Sequence, residues 1–353
     1  LTDLINCSAQ YYLNAIDLAK NDLAAVELYI LYLLPDIYSF PKRLPAANFN
    51  LVFMDLLNEL NLDKIFIQKI NDECLIKANI QLDVLRLDKI HPVVSGNKWF
   101  KLKYYLQQAA EDNCTCIATF GGAFSNHIIA VAYACAAKKI QCIGYIRGER
   151  PATFSPTLSD AKALNMRLIF LSRSEYLNRK KSIQNDQSTF YVPEGGYGKN
   201  GVKGASEILN FVPDIPGYNY IVCAVGTGTM LAGIVNASST HQNIIGISVL
   251  KNNFSVENEV LALVNDKAKN QTKILHDYHF GGYAKYAQQL IEFMNKTWKA
   301  YALPLDFVYT AKAFYAIFDL LKNDFFIAGS KILFVHSGGL QGNRSLKEET
   351  LLF

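Results

Sequence analysis

Charge is scarce in this chain and nearly balanced. Asp, Glu, Lys and Arg make up 19% of 353 residues, and 35 basic against 31 acidic side chains leave a net charge of +4. That is too little for a nucleic-acid footprint; no run of five basic residues occurs, and Arg179-Lys180-Lys181 reads as a solvated patch near a helix end. Cysteine is equally sparse. The seven are an odd number without a Cys-x-x-Cys pair. A disulfide framework and a zinc site are thereby disfavoured, no metal is expected, and a reduced, cytoplasmic setting is. Long apolar runs are missing too. The run from Glu27 to Leu34 is too short to span a membrane, and no positively charged stretch of signal-peptide type precedes it. No internal repeat or low-complexity segment stands out.

What the chain does have is a core. Half of its residues are apolar (50%) and 12% are aromatic, enough for about two domains. From Ile80 onward, β-prone runs alternate with helical patterns, which predicts an α/β fold with largely parallel sheets. The runs around Cys116, Ile140 to Tyr145 and Arg167 to Phe170 would form a small sheet; those around Ile221, Ile244 to Ile247 and Ile332 would form a larger one.

Four junctions carry chemistry. In Ser95-Gly96-Asn97-Lys98-Trp99-Phe100-Lys101-Leu102, a lysine follows a Gly-Asn turn at the opening of an apolar-periodic helix. A helix N-terminus disfavours the ammonium form and so helps produce a neutral amine able to attack an aldehyde; an ordinary solvated lysine is the competing reading. Gly121-Gly122-Ala123-Phe124-Ser125-Asn126-His127 lies between a strand-like and a helix-like run and offers three polar side chains where helix capping needs one. Gly226-Thr227-Gly228-Thr229 supplies backbone N–H groups, two hydroxyls and a helix start, the makings of a phosphate cradle. A nucleoside triphosphate loop would need Lys-Ser or Lys-Thr where Thr229-Met230 stands, and a tight turn without ligand is the alternative. His336-Ser337-Gly338-Gly339 ends a further strand-like run, where ligands of open α/β sheets gather.

Taken in order with Pro156-Thr157-Leu158, Asp160-Ala161, Gly195-Gly196, Gly281-Gly282-Tyr283 and Tyr309-Thr310-Ala311-Lys312, these motifs give a specific match. From about Ile80 to its end the chain resembles the pyridoxal-phosphate enzymes of the 1-aminocyclopropane-1-carboxylate deaminase and D-cysteine desulfhydrase family, within the tryptophan synthase β-like superfamily of fold type II. The resemblance implies that Lys98 bonds to the cofactor aldehyde and moves the substrate proton, and that Lys101 contacts the phosphate. It gives Asn126 to the cofactor's phenolic oxygen and Gly226, Thr227, Gly228 and Thr229 to its phosphate. Ser125, Asn126 and His127 would hold the substrate, Ser125 also handling a proton. Tyr283 and Tyr309 would face the substrate as catalytic groups, and Thr310 and Ser337 would approach the pyridine ring.

Two departures bear on activity. True deaminases of this family carry a glutamate and a leucine where this chain has Thr310 and Ser337. A carboxylate beside the pyridine nitrogen keeps it protonated and deepens the electron sink, whereas a hydroxyl leaves it neutral, which still suits α,β-elimination of a thiol. The expectation is therefore a lyase converting D-cysteine to pyruvate, ammonia and hydrogen sulfide. Deamination of 1-aminocyclopropane-1-carboxylate is the runner-up, followed by a pyridoxal-phosphate binder without turnover. The resemblance further implies a homodimer acting on a small amino acid, with residues 71–99 and 190–353 as a large cofactor domain and 100–189 as a small inserted one. Residues 1–70 are expected to be an extension of unassigned role.

Overall fold

The last of the described strands lies near the middle of the larger sheet. The computed structural model describes residues 60–184, 188–265 and 272–353. The apolar run from 27 to 34, and the expected extension up to residue 59, lie outside the described residues. The strands described are β1 (Ile67–Ile70), β2 (Gln81–Arg86), β3 (Cys116–Gly121), β4 (Gln141–Arg147), β5 (Arg167–Leu171), β6 (Thr189–Val192), β7 (Tyr220–Val225), β8 (Asn243–Ser248), β9 (Thr272–Leu275) and β10 (Lys331–His336). Between them run α1 (Glu73–Lys77), α2 (Asn97–Glu111), α3 (Asn126–Ala137), α4 (Pro156–Ala163), α5 (Arg173–Ser182), α6 (Lys199–Ser206), α7 (Thr229–Ala237), α8 (Ser255–Leu261), α9 (Gln288–Tyr301) and α10 (Thr310–Lys322).

Six strands form one sheet in the order β1-β2-β10-β7-β8-β9, and four form another in the order β5-β4-β3-β6. Every pairing is parallel except that of β1 with β2, so the α/β alternation read from the sequence is what the chain builds. Two expected boundaries shift. Ile67–Ile70 pairs with Leu82 to Leu85, so the large sheet begins inside what was expected to be extension; four residues are too short a run to declare themselves a strand. Thr189–Val192 pairs with β3, so the small sheet extends past residue 189.

Both faces of the large sheet are covered, as parallel sheets require. Side chains alternate across it: Ile221, Cys223, Val225, Leu333 and Val335 enter one apolar cluster, while Val222, Ala224, Ile332 and Phe334 enter the other. Local signals start the helices. Ser125, Ser155 and Ser172 cap α3, α4 and α5 through their hydroxyl oxygens, and Ser172 forms a reciprocal capping box with Glu175. Helix α6 lies directly against α2: a Cβ on Gly204 would stand 1.7 Å from the Phe100 carbonyl oxygen, so only glycine allows this approach beside the Lys98 helix. None of the helices among the described residues is long and apolar enough to cross a membrane.

Candidate active site

The ends of β3, β4, β7 and β10 open onto a single cavity of about 140 Å³, the place where ligands of open parallel sheets bind. Lys98 reaches it because the turn before α2 is bolted to the loop after β10. The Asn97 N–H donates to the Ser337 carbonyl at 3.2 Å, and Gly96 (φ +60°) packs so closely that a Cβ would fall 2.0 Å from that oxygen. Lys98 is 8% exposed; its Nζ donates to Asn97 Oδ1 at 2.6 Å and stands 5.9 Å from the centre of the Tyr309 ring. Burial lowers the Lys98 amine to about 8, against the opposing pull of the Asp306 carboxylate. An amine so placed has a far larger neutral fraction near physiological pH than an ordinary lysine.

Lys101, one turn along α2, lines the same cavity without a hydrogen-bond or carboxylate partner among the described residues. Burial, and then the nearby Lys98, push it well below the usual lysine range. Opposite it, Gly226 to Thr229 turn into α7 with Gly228 in the left-handed conformation (φ 76°) as the helix N-cap. The Thr227 and Thr229 hydroxyls meet at 3.1 Å, and the facing Gly195 and Gly196 leave room that side chains would fill. A buried amine that can hold its charge only beside an anion, facing a helix N-terminus and two hydroxyls, suits a dianion such as a phosphate monoester.

On the β3 side, Ser125 caps α3 through its hydroxyl oxygen, accepting from the Ile128 N–H at 3.4 Å, and keeps its own proton to give. Asn126 is buried, with its Nδ2 donating to the Gly339 carbonyl at 3.5 Å, and its Oδ1 has no partner among the described residues. His127 is fixed in one tautomer. Thr119 gives its proton to the Val192 carbonyl (2.8 Å), so the contact of its oxygen with His127 Nε2 at 2.8 Å must be donated by the ring. Nδ1 is then a lone pair without a partner among the described residues, and burial together with Lys101 and Lys98 holds the ring neutral. The imidazole thus has no donor left for a substrate carboxylate; the backbone N–H at the helix start is what His127 can offer.

Tyr283 and Tyr309 line the opposite wall, their ring centres 6.5 Å apart and inclined at 68°. Burial raises both hydroxyls above the ordinary tyrosine range, so both carry their protons. Ser337 lines the cavity with its hydroxyl free of hydrogen bonds among the described residues. Thr310 is not part of the cavity wall. It gives its proton to Asp306 Oδ2 at 2.7 Å and accepts the Asp306 N–H at 2.8 Å.

Three wall residues or neighbours escaped the sequence reading. Arg147 ends β4, and its position at the C-terminal end of a parallel strand was the available signal. Glu194 also lines the cavity, held by Lys180 at 2.7 Å. Asp306 is fully buried and accepts from the N–H groups of Val308, Tyr309 and Thr310 at 2.9–3.0 Å; an Asp one turn ahead of a helical Thr was the hint.

A family model described as pyridoxal-phosphate dependent enzyme matches residues 79–338. The chain belongs to that family. Pyridoxal phosphate is accordingly its cofactor, and the unpartnered Lys101, the Gly226 to Thr229 turn and the low-lying Lys98 amine fit that group. Among curated members, the chain is 27% identical over 288 residues (75% of this chain, 91% of the other) to a Thermotoga maritima protein provisionally named a 1-aminocyclopropane-1-carboxylate deaminase. It is also 27% identical over 280 residues (70% of each) to an Arabidopsis thaliana protein named bifunctional D-cysteine desulfhydrase/1-aminocyclopropane-1-carboxylate deaminase, mitochondrial. The fold is that of a crystallised 1-aminocyclopropane-1-carboxylate deaminase homologue (TM-score 0.67, 23% identity, 83% of this chain and 95% of that one). A hydrogen sulfide-producing enzyme from Fusobacterium nucleatum shares it as well (TM-score 0.59, 15% identity, 84% and 99%). The chain is thus a fold type II member of the pyridoxal-phosphate enzymes, similar in sequence to its deaminases and desulfhydrases.

Proposed function

We propose that this enzyme is a lyase of the D-cysteine desulfhydrase type, which removes the α-hydrogen and β-thiol of D-cysteine as hydrogen sulfide and leaves a product that water hydrolyses to pyruvate and ammonia. The observation that carries the reading is the free Ser337 hydroxyl on the cavity wall. Among the described residues lining the cavity the one carboxylate is Glu194, and Lys180 already neutralises it. A neutral donor rather than an anion suits an elimination in which electrons travel only from Cα to the departing sulfur.

The cofactor, when bound, supplies the electron withdrawal that acidifies the substrate's Cα hydrogen. This chain's residues do the rest. Lys101 and the Gly226 to Thr229 turn bind the phosphate, and Asn126 orients the ring through its phenolic oxygen. The substrate carboxylate sits at the start of α3, met by the Ser125 hydroxyl and the backbone N–H groups of Asn126 and His127. Lys98 takes the Cα proton, which its lowered basicity permits near neutral pH. Tyr283 and Tyr309, both protonated, give a proton to the leaving sulfur. Residues 100–189 acting as a small domain over the cofactor, a homodimer, and a reducing, cytoplasmic setting belong to the same proposal.

A second reading, ring opening of 1-aminocyclopropane-1-carboxylate to 2-oxobutanoate and ammonia, is favoured by the names of several relatives. Purified, cofactor-loaded protein given each compound decides between them. Sulfide and pyruvate from D-cysteine are the expected products; faster 2-oxobutanoate release from the cyclopropane would reverse the assignment, and a spectral change without product from either would mark a binder.

A further inference from the structure

One cation in this fold has no part in the chemistry above and has less exposed surface than either cavity lysine. Lys312, in the first turn of α10, has no exposed surface, whereas Lys98 and Lys101 keep 8% and 6%. No carboxylate forms an ion pair with it among the described residues. Its Nζ donates instead to two carbonyl oxygens, those of His279 and Gly282, each at 2.8 Å. Taking an ammonium out of water is expensive unless such bonds replace the hydration, and a leucine or methionine would fill the same space without that cost. The lysine is there for the two carbonyls.

Those carbonyls belong to a segment that needs holding. Phe280 (φ 49°), Gly281 (φ 92°), Gly282 (φ 116°) and Ala284 (φ 52°) all lie in the left-handed region. For Phe280 and Ala284 that conformation costs about 1–2 kcal/mol each. Backbone of this kind persists where its surroundings over-determine it, commonly beside a site. Tyr283 follows Gly282 and turns its ring into the cavity wall. The other cavity tyrosine, Tyr309, is the N-cap of α10 itself, three positions before Lys312.

We propose that Lys312 is a positioning residue for the reaction: by gripping the His279 and Gly282 carbonyls it fixes Tyr283 against Tyr309, so that one helical turn sets both hydroxyls toward the substrate. Asp306, the charged group facing Lys312 in this region, favours its ammonium form, while burial lowers it to about 8. The grip uses N–H donors, which the amine retains after losing its extra proton.

The test uses full-length, cofactor-loaded protein carrying Lys312→Met. In backbone hydrogen exchange, the segment 279–285 is expected to exchange at least about tenfold faster than in the wild type while 310–322 keeps its protection. Unchanged exchange in 279–285, or equal loosening of both segments, overturns the proposal. The kinetic arm rests on the proposed elimination. With D-cysteine, kcat should fall about ten- to a hundredfold with KM nearly constant. Tyr283→Phe should then cause little further loss in the Lys312→Met background, although it lowers the wild-type rate fully, whereas Tyr309→Phe should lower both alike. Additive losses for Tyr283 overturn the link to catalysis. A protein that turns over no D-cysteine would defeat the substrate reading and leave the exchange result to decide this one. Where Lys312→Met does not fold, Lys312→Gln, polar but too short for both carbonyls, replaces it under the same expectations.

Discussion

The Thr310 hydroxyl holds Asp306 by two hydrogen bonds, giving its proton to the carboxylate at 2.7 Å and receiving the aspartate's own N–H at 2.8 Å. Its one proton is committed, so the hydroxyl that faces the cavity as a donor on this side is that of Ser337. The two substitutions should therefore separate. Thr310→Val leaves a buried carboxylate short of a donor and is expected to lower stability by about 1–3 kcal/mol in chemical denaturation. Ser337→Ala should leave the denaturation curve in place and shift the visible absorption of the bound cofactor. A spectral shift confined to Thr310→Val would refute this division of labour.

Lys98 should titrate as an unusual lysine. Its pKa near 8 keeps the ammonium below that pH and frees the amine above it, whereas an unperturbed lysine changes form near 10.4. In cofactor-free protein, the rate of reductive methylation at Lys98, followed by peptide mapping, is expected to inflect near pH 8 while surface lysines go on rising to higher pH. A shared inflection near 10 would refute it. Lys98→Ala should abolish borohydride-stable attachment of the cofactor to the 97–101 segment.

The two cavity lysines also predict how the empty protein responds to pH. Lys101 is held well below its unfolded value, so the unfolded chain binds its proton more readily. That group's contribution to stability is fully present above about pH 10.4 and is lost as pH falls. Lys101→Met should raise the melting temperature of cofactor-free protein at pH 7 by a few degrees, with the gain shrinking at pH 9.5. The same variant should bind the cofactor about ten- to a hundredfold more weakly, since it loses a charge-assisted phosphate contact. Equal melting temperatures and equal affinity would show that Lys101 does not meet the phosphate.

Gly96 is a further place to press. A methyl group there meets the Ser337 carbonyl at 2.0 Å and must also adopt φ +60°. Gly96→Ala is expected to displace the start of α2 from the loop after β10, with a destabilisation of several kcal/mol and loss of cofactor binding. A stable Gly96→Ala protein that still binds cofactor would mean that this contact does not position Lys98.

The sequence makes the site's outline readable because its chemistry sits at strand-to-helix junctions, where glycines and small polar residues cluster by physical necessity. Lys98, the Gly226 turn and Ser337 are visible this way and Lys101 through the family resemblance, and the four share one cavity. What could not be read was how hydrogen bonds are shared. That Thr310 turns to Asp306, and that Thr119 fixes the His127 tautomer, depends on partners far off in the chain or hidden in a turn. Ile67–Ile70 escaped for another reason: four residues carry too little periodicity to stand out, and pairing with β2 supplies what the local sequence does not.

The position of β10 has a bearing on how the enzyme is born. This strand is translated after all its sheet partners, yet it sits between β2 and β7 and joins them. Until it leaves the ribosome, β1 and β2 have no neighbour to dock against, and the turn bearing Lys98 has no Ser337 carbonyl on which to settle. The nascent chain must therefore wait with its larger sheet split in two, and its aldehyde-reactive amine takes its final place only once β10 has been made.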